Sequence, residues 1–493
     1  MPADRADEAH AREGRRVGRN MLALVASQFV TTPISMVVNA MMARALGAET
    51  FGAIYLATTI LTLAFLFVEW GGYNQVAASV ARDRSAAPRV LGTGLLLRVL
   101  MIALLLGVVP GFGRWMGYDA TVQVALLLCG VRLAFVSLGM LCAGILRGLE
   151  RIRWHAAANV SGTIIDAALV ATVLLSGGGL RAVLTAQVVS AALTLTLQFG
   201  MLARLRIGRL RVDRGTATLL VGGGFSFLVL EVILKLQPYI DATFMERLAD
   251  PRALGWHSAA IRIQGVLLFP ATTLTVALYP TLVRLWKDDR ATCDRMVRLA
   301  LRAIIVLGVV AATGTVLFST FVVHLVYGRK AYAPAAGNLS ILSAYVVLVY
   351  ASMVLGTALI VAGRQWRYAI VQSACLVISL TLDPILIPWA QRTYGNGGLG
   401  VCISVVTAEA LMVGSALVLL PSGPLDRSLL RTVGRCLLAA AGMVAVGVPL
   451  RAYPLLAIPA TVAVYVGLLW IQREIDADLL MMLRRRSPAD ASS

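Results

Sequence analysis

The chain has 493 residues, of which 59% are hydrophobic and only 14% charged, and its mean hydropathy is +0.81. An average soluble domain carries about 25% charged residues, so this composition excludes a soluble globular domain and identifies a polytopic membrane protein. The formal net charge of +19 suits nucleic acid by magnitude, yet it is dealt out in short clusters between apolar runs, which excludes that partner.

Apolar runs of about 18 or more residues read as membrane-spanning helices. About fourteen occur, at roughly 21–44, 51–70, 90–110, 121–146, 156–176, 182–203, 217–240, 256–283, 300–325, 338–362, 368–389, 398–421, 430–449 and 453–471. The first follows a basic polar segment and is too long for the apolar core of a cleaved signal peptide, so it is expected to be span 1. The predicted fold is therefore all-α.

The basic clusters fall in alternate loops. They are Arg12, Arg15, Arg16 and Arg19; Arg82, Arg84 and Arg89; Arg147, Arg151 and Arg153; Arg204, Arg206, Arg209, Arg211 and Arg214; Arg284, Lys287, Arg290, Arg295 and Arg298; and Arg484, Arg485 and Arg486. This is the positive-inside pattern, and it predicts that both termini are cytoplasmic. Each cluster reads as an anchor beside lipid head groups.

The chain also repeats itself. Met42-Ala43-Arg44 with Phe51-Gly52 and Ala57 is answered by Met245-Glu246-Arg247 with Leu254-Gly255 and Ala260, eight residues from Arg to Gly in each. Arg153-Trp154 is answered by Arg367-Tyr368, and Gly178-Gly179-Leu180 by Gly397-Gly398-Leu399. Six spans are read as duplicated, and an even number predicts a parallel repeat about a pseudo-two-fold axis along the membrane normal. The expected domains are 1–214 with spans 1–6, 215–424 with spans 7–12, and 425–493 with two extra spans and a cytoplasmic tail. Two such lobes are expected to enclose a cavity.

Ionisable residues inside the spans mark candidate sites, because a charge at the bilayer centre costs roughly 2.5–3.5 kcal/mol on insertion scales unless it is paired or wetted. The candidate cations are Arg98 in span 3, Arg132 near the middle of span 4, Lys235 in span 7 and Arg262 in span 8. The acids are Glu69, Asp166, Glu231, Asp241, Asp383 and Glu409. Glu231 precedes Lys235 by four residues, the favourable order for a helical ion pair. Asp166 and Asp383 occupy similar places in the two halves. The acids balance the arginines or bind a coupling ion, and the residues leave both readings open. Pro270 and Pro280 in span 8, Pro384 and Pro388 in span 11, and Gly222-Gly223-Gly224 opening span 7 are expected bending points.

No spacing of the six cysteines and four histidines supports a metal site or a disulfide framework. No cofactor is expected. Asp476-Ala477-Asp478 matches the spacing of a sugar-nucleotide metal site, but a lone instance in the tail reads as coincidence.

Met42-Ala43-Arg44-Ala45-Leu46-Gly47 followed by Phe51-Gly52 resembles the Arg-x-Leu-Gly junction of the polysaccharide flippases, a family of the multidrug, oligosaccharidyl-lipid and polysaccharide exporter superfamily. Leu146-Arg147-Gly148-Leu149-Glu150-Arg151 is similar to that family's turn after span 4. Gly255-Trp256-His257-Ser258-Ala259-Ala260 is similar to its start of span 8, with His257 where Tyr is commoner. Tyr279-Pro280 and Ala362-Gly363-Arg364 match as well. The resemblance runs over nearly the whole chain.

It implies a transporter and not an enzyme, a multi-pass protein of the bacterial inner membrane that takes a lipid-linked oligosaccharide on polyprenyl (undecaprenyl-type) pyrophosphate from the cytoplasmic to the outer leaflet. It also implies polysaccharide polymerase or assembly proteins as partners. Under that reading Arg132, Arg262, Lys235 and Arg98 line the cavity for the anionic head, since a guanidinium fork binds two phosphate oxygens at once. The alternatives within the superfamily are a small-molecule or cation antiporter of the multidrug and toxin extruder type and a flippase of the lipid II precursor. A membrane polymerase needs a large outer loop, and the longest, about 241–256, is too short to hold a site.

Overall fold

The computed structural model describes residues 2–474 apart from 71, 206, 329 and 421–425. Asp476, Asp478, the arginines at 484–486 and Arg206, together with the side chains of Arg12, Arg15, Arg16, Arg19 and Pro280, lie outside the described residues.

The described elements are all helical, with no strand among the described residues. They are α1 (Pro2–Glu69), α2 (Gly72–Arg82), α3 (Ala87–Trp115), α4 (Ala120–Gly148), α5 (Ile152–Leu175), α6 (Leu180–Arg204), α7 (Arg214–Leu248), α8 (Pro251–Leu267), α9 (Phe269–Asp288), α10 (Arg290–Tyr327), α11 (Ala335–Val361), α12 (Gln365–Tyr394), α13 (Gly398–Leu419), α14 (Arg427–Gly447) and α15 (Pro454–Ile471). An apolar chain in hydrocarbon must pair every backbone N–H and C=O within its own segment, and helices do so. Aspartates start several of them. Asp119 accepts from Val122 N at the head of α4, Asp250 from Arg252 N at α8 and Asp289 from Thr292 N at α10, at 2.9, 2.8 and 3.0 Å. Each satisfies a backbone donor that the first helical turn leaves open.

Among the described residues, eleven helices are long and apolar enough to cross a membrane, or twelve when α8 and α9, bent by 41°, form one span. The apolar part of α1 is 44 residues long, about twice what one crossing needs. It is divided at Gly47, whose φ of 81° and ψ of 168° are not helical, so α1 supplies two spans. With α7 counted, each of the fourteen expected spans coincides with a helix. Pro270 stands in the first turn of α9, at the bend, whereas Pro384 and Pro388 lie inside an unbroken α12. The break between α1 and α2 comes at Trp70, where φ is 48°, at the expected end of span 2 and just before Gly71-Gly72; the short helix α2 that follows was not expected.

The chain divides by packing into two compact units, Met1–Ala242 and Thr243–Arg486. The division falls within α7, not ahead of it. The reason lies in the connection 205–213: Arg211 N donates to Pro88 O at 3.3 Å and Asp213 N to Thr93 Oγ1 at 3.0 Å, which binds the start of α7 to α3. In the first unit α4 is central, packed on α1, α2, α3 and α6. Gly144 and Gly148 let α2 approach it, since a Cβ on either would stand 2.9 or 2.7 Å from Val76 or Val80. In the second unit α11 holds the corresponding place against α8, α9, α10 and α13.

The same pairs recur in both units. α3–α4, α4–α6 and α5–α6 in the first are matched by α10–α11, α11–α13 and α12–α13 in the second. The turns agree too. After α4, Glu150 adopts φ 60° and Arg151 N donates to Leu146 O at 2.7 Å; after α11, Gly363 adopts φ 70° and Arg364 N donates to Leu359 O at 2.9 Å. These are one helix-ending turn written with two residues, only one of them the glycine it favours.

Candidate functional site

The first unit holds two groups of ionisable residues within its spans. Arg132 lies twelve residues from the start of α4 and sixteen from its end, roughly 18 and 24 Å at 1.5 Å per residue. That is beyond the reach of a snorkelling side chain. The half-buried Asp166 on α5 sits in its field and lies near the side chains of Gln187 and Ser190 on α6. Gln187 and Ser190 are buried, and Gln187 also reaches Met42 Sδ at 3.8 Å. A cation and an acid on neighbouring helices lower each other's cost where water is scarce.

The second group surrounds the break at Trp70. Glu69, the last residue of α1, lies in the field of Arg98 on α3 and of Glu231 and Lys235 on α7. Arg98 is only 4% exposed and donates Nη1 to Ser137 O on α4, with Nη2 3.3 Å from where a Cβ on Gly72 would stand. Glu231 and Lys235 are both exposed. Trp70 Nε1 donates to Val221 O of α7 at 2.7 Å, tying the break to that helix. The structure thus brings Arg98, Lys235, Glu69 and Glu231 together, and Arg132 with Asp166 separately. Asp241, 5% exposed, is the last acid of this unit.

In the second unit the candidates are dispersed. Arg262, half-buried on α8, lies in the field of Tyr327 and Tyr332, whose rings are 5.2 Å apart. Asp383 on α12 is fully buried. Glu409 on α13 accepts a hydrogen bond from Ser352 on α11 and lies near Tyr368 on α12. Asp383 is thus more deeply buried than Asp166, its counterpart in the repeat as read from the sequence. His257 is buried against Cys402, 3.7 Å from its Sγ, so the departure from Tyr is absorbed by packing. Among the described residues no His, Cys, Asp and Glu cluster could hold a metal ion, and the six cysteines are buried with no disulfide between them.

Three basic loops of the first unit share one face. Arg84 pairs with Glu150 at 3.2 Å, joining the connection before α3 to the one after α4, and the connection after α6 lies on α3 as described above. The arginines they carry, among them Arg82, Arg89, Arg147, Arg151, Arg153 and Arg209, are exposed. Two acids among them have structural work. Ser85 hydrogen bonds hold the Asp83 carboxyl below its ordinary value, and Thr216 does the same for Asp213.

Sequence reasoning missed one polar centre altogether. Glu474, just past α15, is 1% exposed and is gripped by Arg302 of α10 and by Arg435 and Thr432 of α14. Burial alone would raise its carboxyl, but the hydrogen bonds from Thr432, Arg435 and Arg302 hold it below the usual 4.5. A lone Glu at the end of an apolar run carries no periodic signal that could have announced this.

A family model described as polysaccharide biosynthesis protein matches residues 17–286, more than half of the chain. No curated protein matches the sequence significantly. Solved structures match in fold. The lipid II flippase MurJ, in an inward closed conformation, superposes with a TM-score of 0.73 at 14% identity, covering 92% of this chain and 99% of that one. A multidrug resistance MATE family transporter of the MOP superfamily, inward-facing, gives 0.67 at 15% identity over 82% of this chain and 98% of that one. A MOP superfamily transporter from Pyrococcus furiosus gives 0.56 at 16% identity over 82% and 95%.

Proposed function

The chain belongs to the polysaccharide biosynthesis protein family, and from that premise we propose that it flips a polyprenyl-pyrophosphate-linked oligosaccharide from the cytoplasmic to the outer leaflet of the bacterial inner membrane by alternating access. The observation that carries the reading is Arg132, a guanidinium held roughly 18 Å or more from either end of its helix in a chain of this family. The fold shared with MOP superfamily transporters and with a lipid II flippase supports it.

The physical task explains the residues. A pyrophosphate head crossing hydrocarbon alone loses its hydration, at several kcal/mol per charge. Guanidinium and ammonium groups along the way replace that hydration with charge-assisted hydrogen bonds. Arg132, Lys235, Arg262 and Arg98 are the proposed contacts. Asp166, Glu69, Glu231, Asp241, Asp383 and Glu409 compensate these cations or take a coupling ion. Lys235 and Glu231, exposed on α7, are the pair most accessible to a passing head group. Arg98, 4% exposed and donating to Ser137 O, is the least accessible of the four. An anion moving outward gains about 2.3 kcal/mol per charge per 100 mV of membrane potential, which favours export.

The test is reconstitution in vesicles with a fluorescent polyprenyl-pyrophosphate oligosaccharide. The wild-type protein is expected to move it between leaflets, and Arg132→Ala to lower the rate at least tenfold while inserting normally. Equal rates for the two proteins overturn the role of Arg132. Movement of lipid II or of an organic cation, with none of the oligosaccharide, overturns the substrate class.

A further inference from the structure

The terminal helices α14 and α15 have no counterpart in the first unit, and they lie against α10. Their shared contact is apolar, with Leu317 and Phe318 of α10 packed among Met443, Ala439, Tyr465 and Leu469. In a bilayer such a surface discriminates poorly between positions, because lipid tails are as apolar as leucine. A helix held only this way can turn or slide along its neighbour, so its setting must come from directional contacts. Two are present across this junction. Tyr465 Oη donates to Val306 O at 3.0 Å, and Glu474 is ringed by three side chains.

The ring is specific in its geometry. Arg302 Nη2 and Nε lie 3.0 and 3.3 Å from Oε1, Arg435 Nη1 lies 2.7 Å from Oε2, and the Thr432 hydroxyl donates to Oε1. The backbone is shaped to deliver the carboxylate there. α15 stops at Ile471, Arg473 takes a left-handed φ of 54°, and Glu474 N turns back to donate to Leu469 O at 2.9 Å. The arginines keep 21% and 35% of their side chains exposed, while the Glu474 side chain keeps 2%. The cations retain some hydration; the anion depends wholly on the ring. A slip of α10 by one turn moves Arg302 by about 5.4 Å and strands a buried carboxylate, which is far costlier than a broken surface pair.

We propose that Glu474 is a positioning residue: it sets the register of α14 and α15 on α10, so that the three helices move as one body. The proposal stands apart from the identity of the transported lipid. It assigns a role to the two helices outside the repeat, that of a brace on α10 with a single permitted setting.

The test uses the full-length protein in lipid nanodiscs, with the six native cysteines replaced by alanine. One cysteine pair reads the native register, Gly314→Cys with Met443→Cys, because a Cβ on Gly314 would stand 3.4 Å from the Met443 side chain, an ordinary contact. A second pair, Gly314→Cys with Ala439→Cys, reads a setting one turn away on α14. With a short bis-thiol crosslinker, Glu474→Gln is expected to lower the yield of the first pair several-fold relative to the second. Charge exchange, Arg435→Glu with Glu474→Arg, is expected to restore part of the native ratio. Thr432→Val removes one donor only and is expected to shift the ratio in the same direction by less, which covers the case in which Glu474→Gln fails to fold. An unchanged ratio in Thr432→Val together with an unchanged ratio in folded Glu474→Gln overturns the proposal. So does an equal fall in both yields, which signals local unfolding in place of a register change.

Discussion

Gly47 takes φ 81° and ψ 168° in the middle of what would otherwise be one long helix. Only glycine visits that region freely, and this explains why the Arg-Ala-Leu-Gly junction ends in it. A Cβ there meets nothing within 4 Å, so the cost of Gly47→Ala is backbone strain alone, about 1–3 kcal/mol. The expected result is a lower thermal midpoint by fluorescence-detected size exclusion; an unchanged midpoint contradicts the assignment of the kink. Glu474 makes a second prediction at this scale. Its carboxyl is held below the usual 4.5 when folded, so the unfolded chain binds its proton at a higher pH than the folded one. The stability it contributes is therefore full above the unfolded value and falls away as pH drops through the folded value. Acid titration of the thermal midpoint is expected to fall more steeply in the wild type than in Glu474→Gln below about pH 4.5; parallel curves refute the ionised ring.

Between residues and the whole chain stand the helices, and glycine acts differently there. Gly144 and Gly148 of α4 are one turn apart and face Val76 and Val80 of α2, so two backbones meet where side chains would part them. A Cβ on Gly148 would lie 2.7 Å from Val80 Cβ and 2.8 Å from Ala77 O. Gly148→Ala is expected to destabilise this junction by about 1–3 kcal/mol, seen as faster proteolysis in the connection around Arg84. Equal cleavage rates tell against close packing. Prolines at this scale had two fates. Pro270 occupies the first turn of α9, where a missing N–H costs nothing, and the chain bends there by 41°. Pro384 and Pro388 were equally plausible bending points in the sequence, yet α12 runs through both, since neighbouring helices can satisfy the freed carbonyls.

For the molecule as a whole, the arginine clusters predict orientation. The connections before α3, after α4 and after α6 of the first unit meet on one face and expose their arginines there. Reporter fusions ending after Arg211 are expected to show cytoplasmic activity, and fusions ending after Gly178 outside activity. The reverse pattern overturns the orientation and with it the proposed direction of transport. The duplication was legible in short echoes such as Arg153-Trp154 and Arg367-Tyr368, and it reappears as helix pairs and as matched turns at Glu150 and Gly363. The candidate site was legible only as a roster. Arg132 and Asp166 are 34 positions apart and on different spans, so their meeting depends on how α4, α5 and α6 pack. Glu69, Arg98, Glu231 and Lys235 come from three helices, and their nearness depends on how α1, α3 and α7 pack.

The sequence by itself determined the class, the spans and the repeat. A bilayer of fixed thickness demands apolar runs of fixed length, and backbone pairing in hydrocarbon leaves helices as the outcome. Tertiary structure alone decided which charges come near one another: Asp166 in the field of Arg132, Glu69 in that of Arg98 and Lys235, and Glu474 in ion pairs with Arg302 and Arg435. The physical reason is reach. Hydropathy acts on each segment separately, while an ion pair forms only between side chains that packing brings within a few ångströms, and that distance is a property of helices distant in the chain.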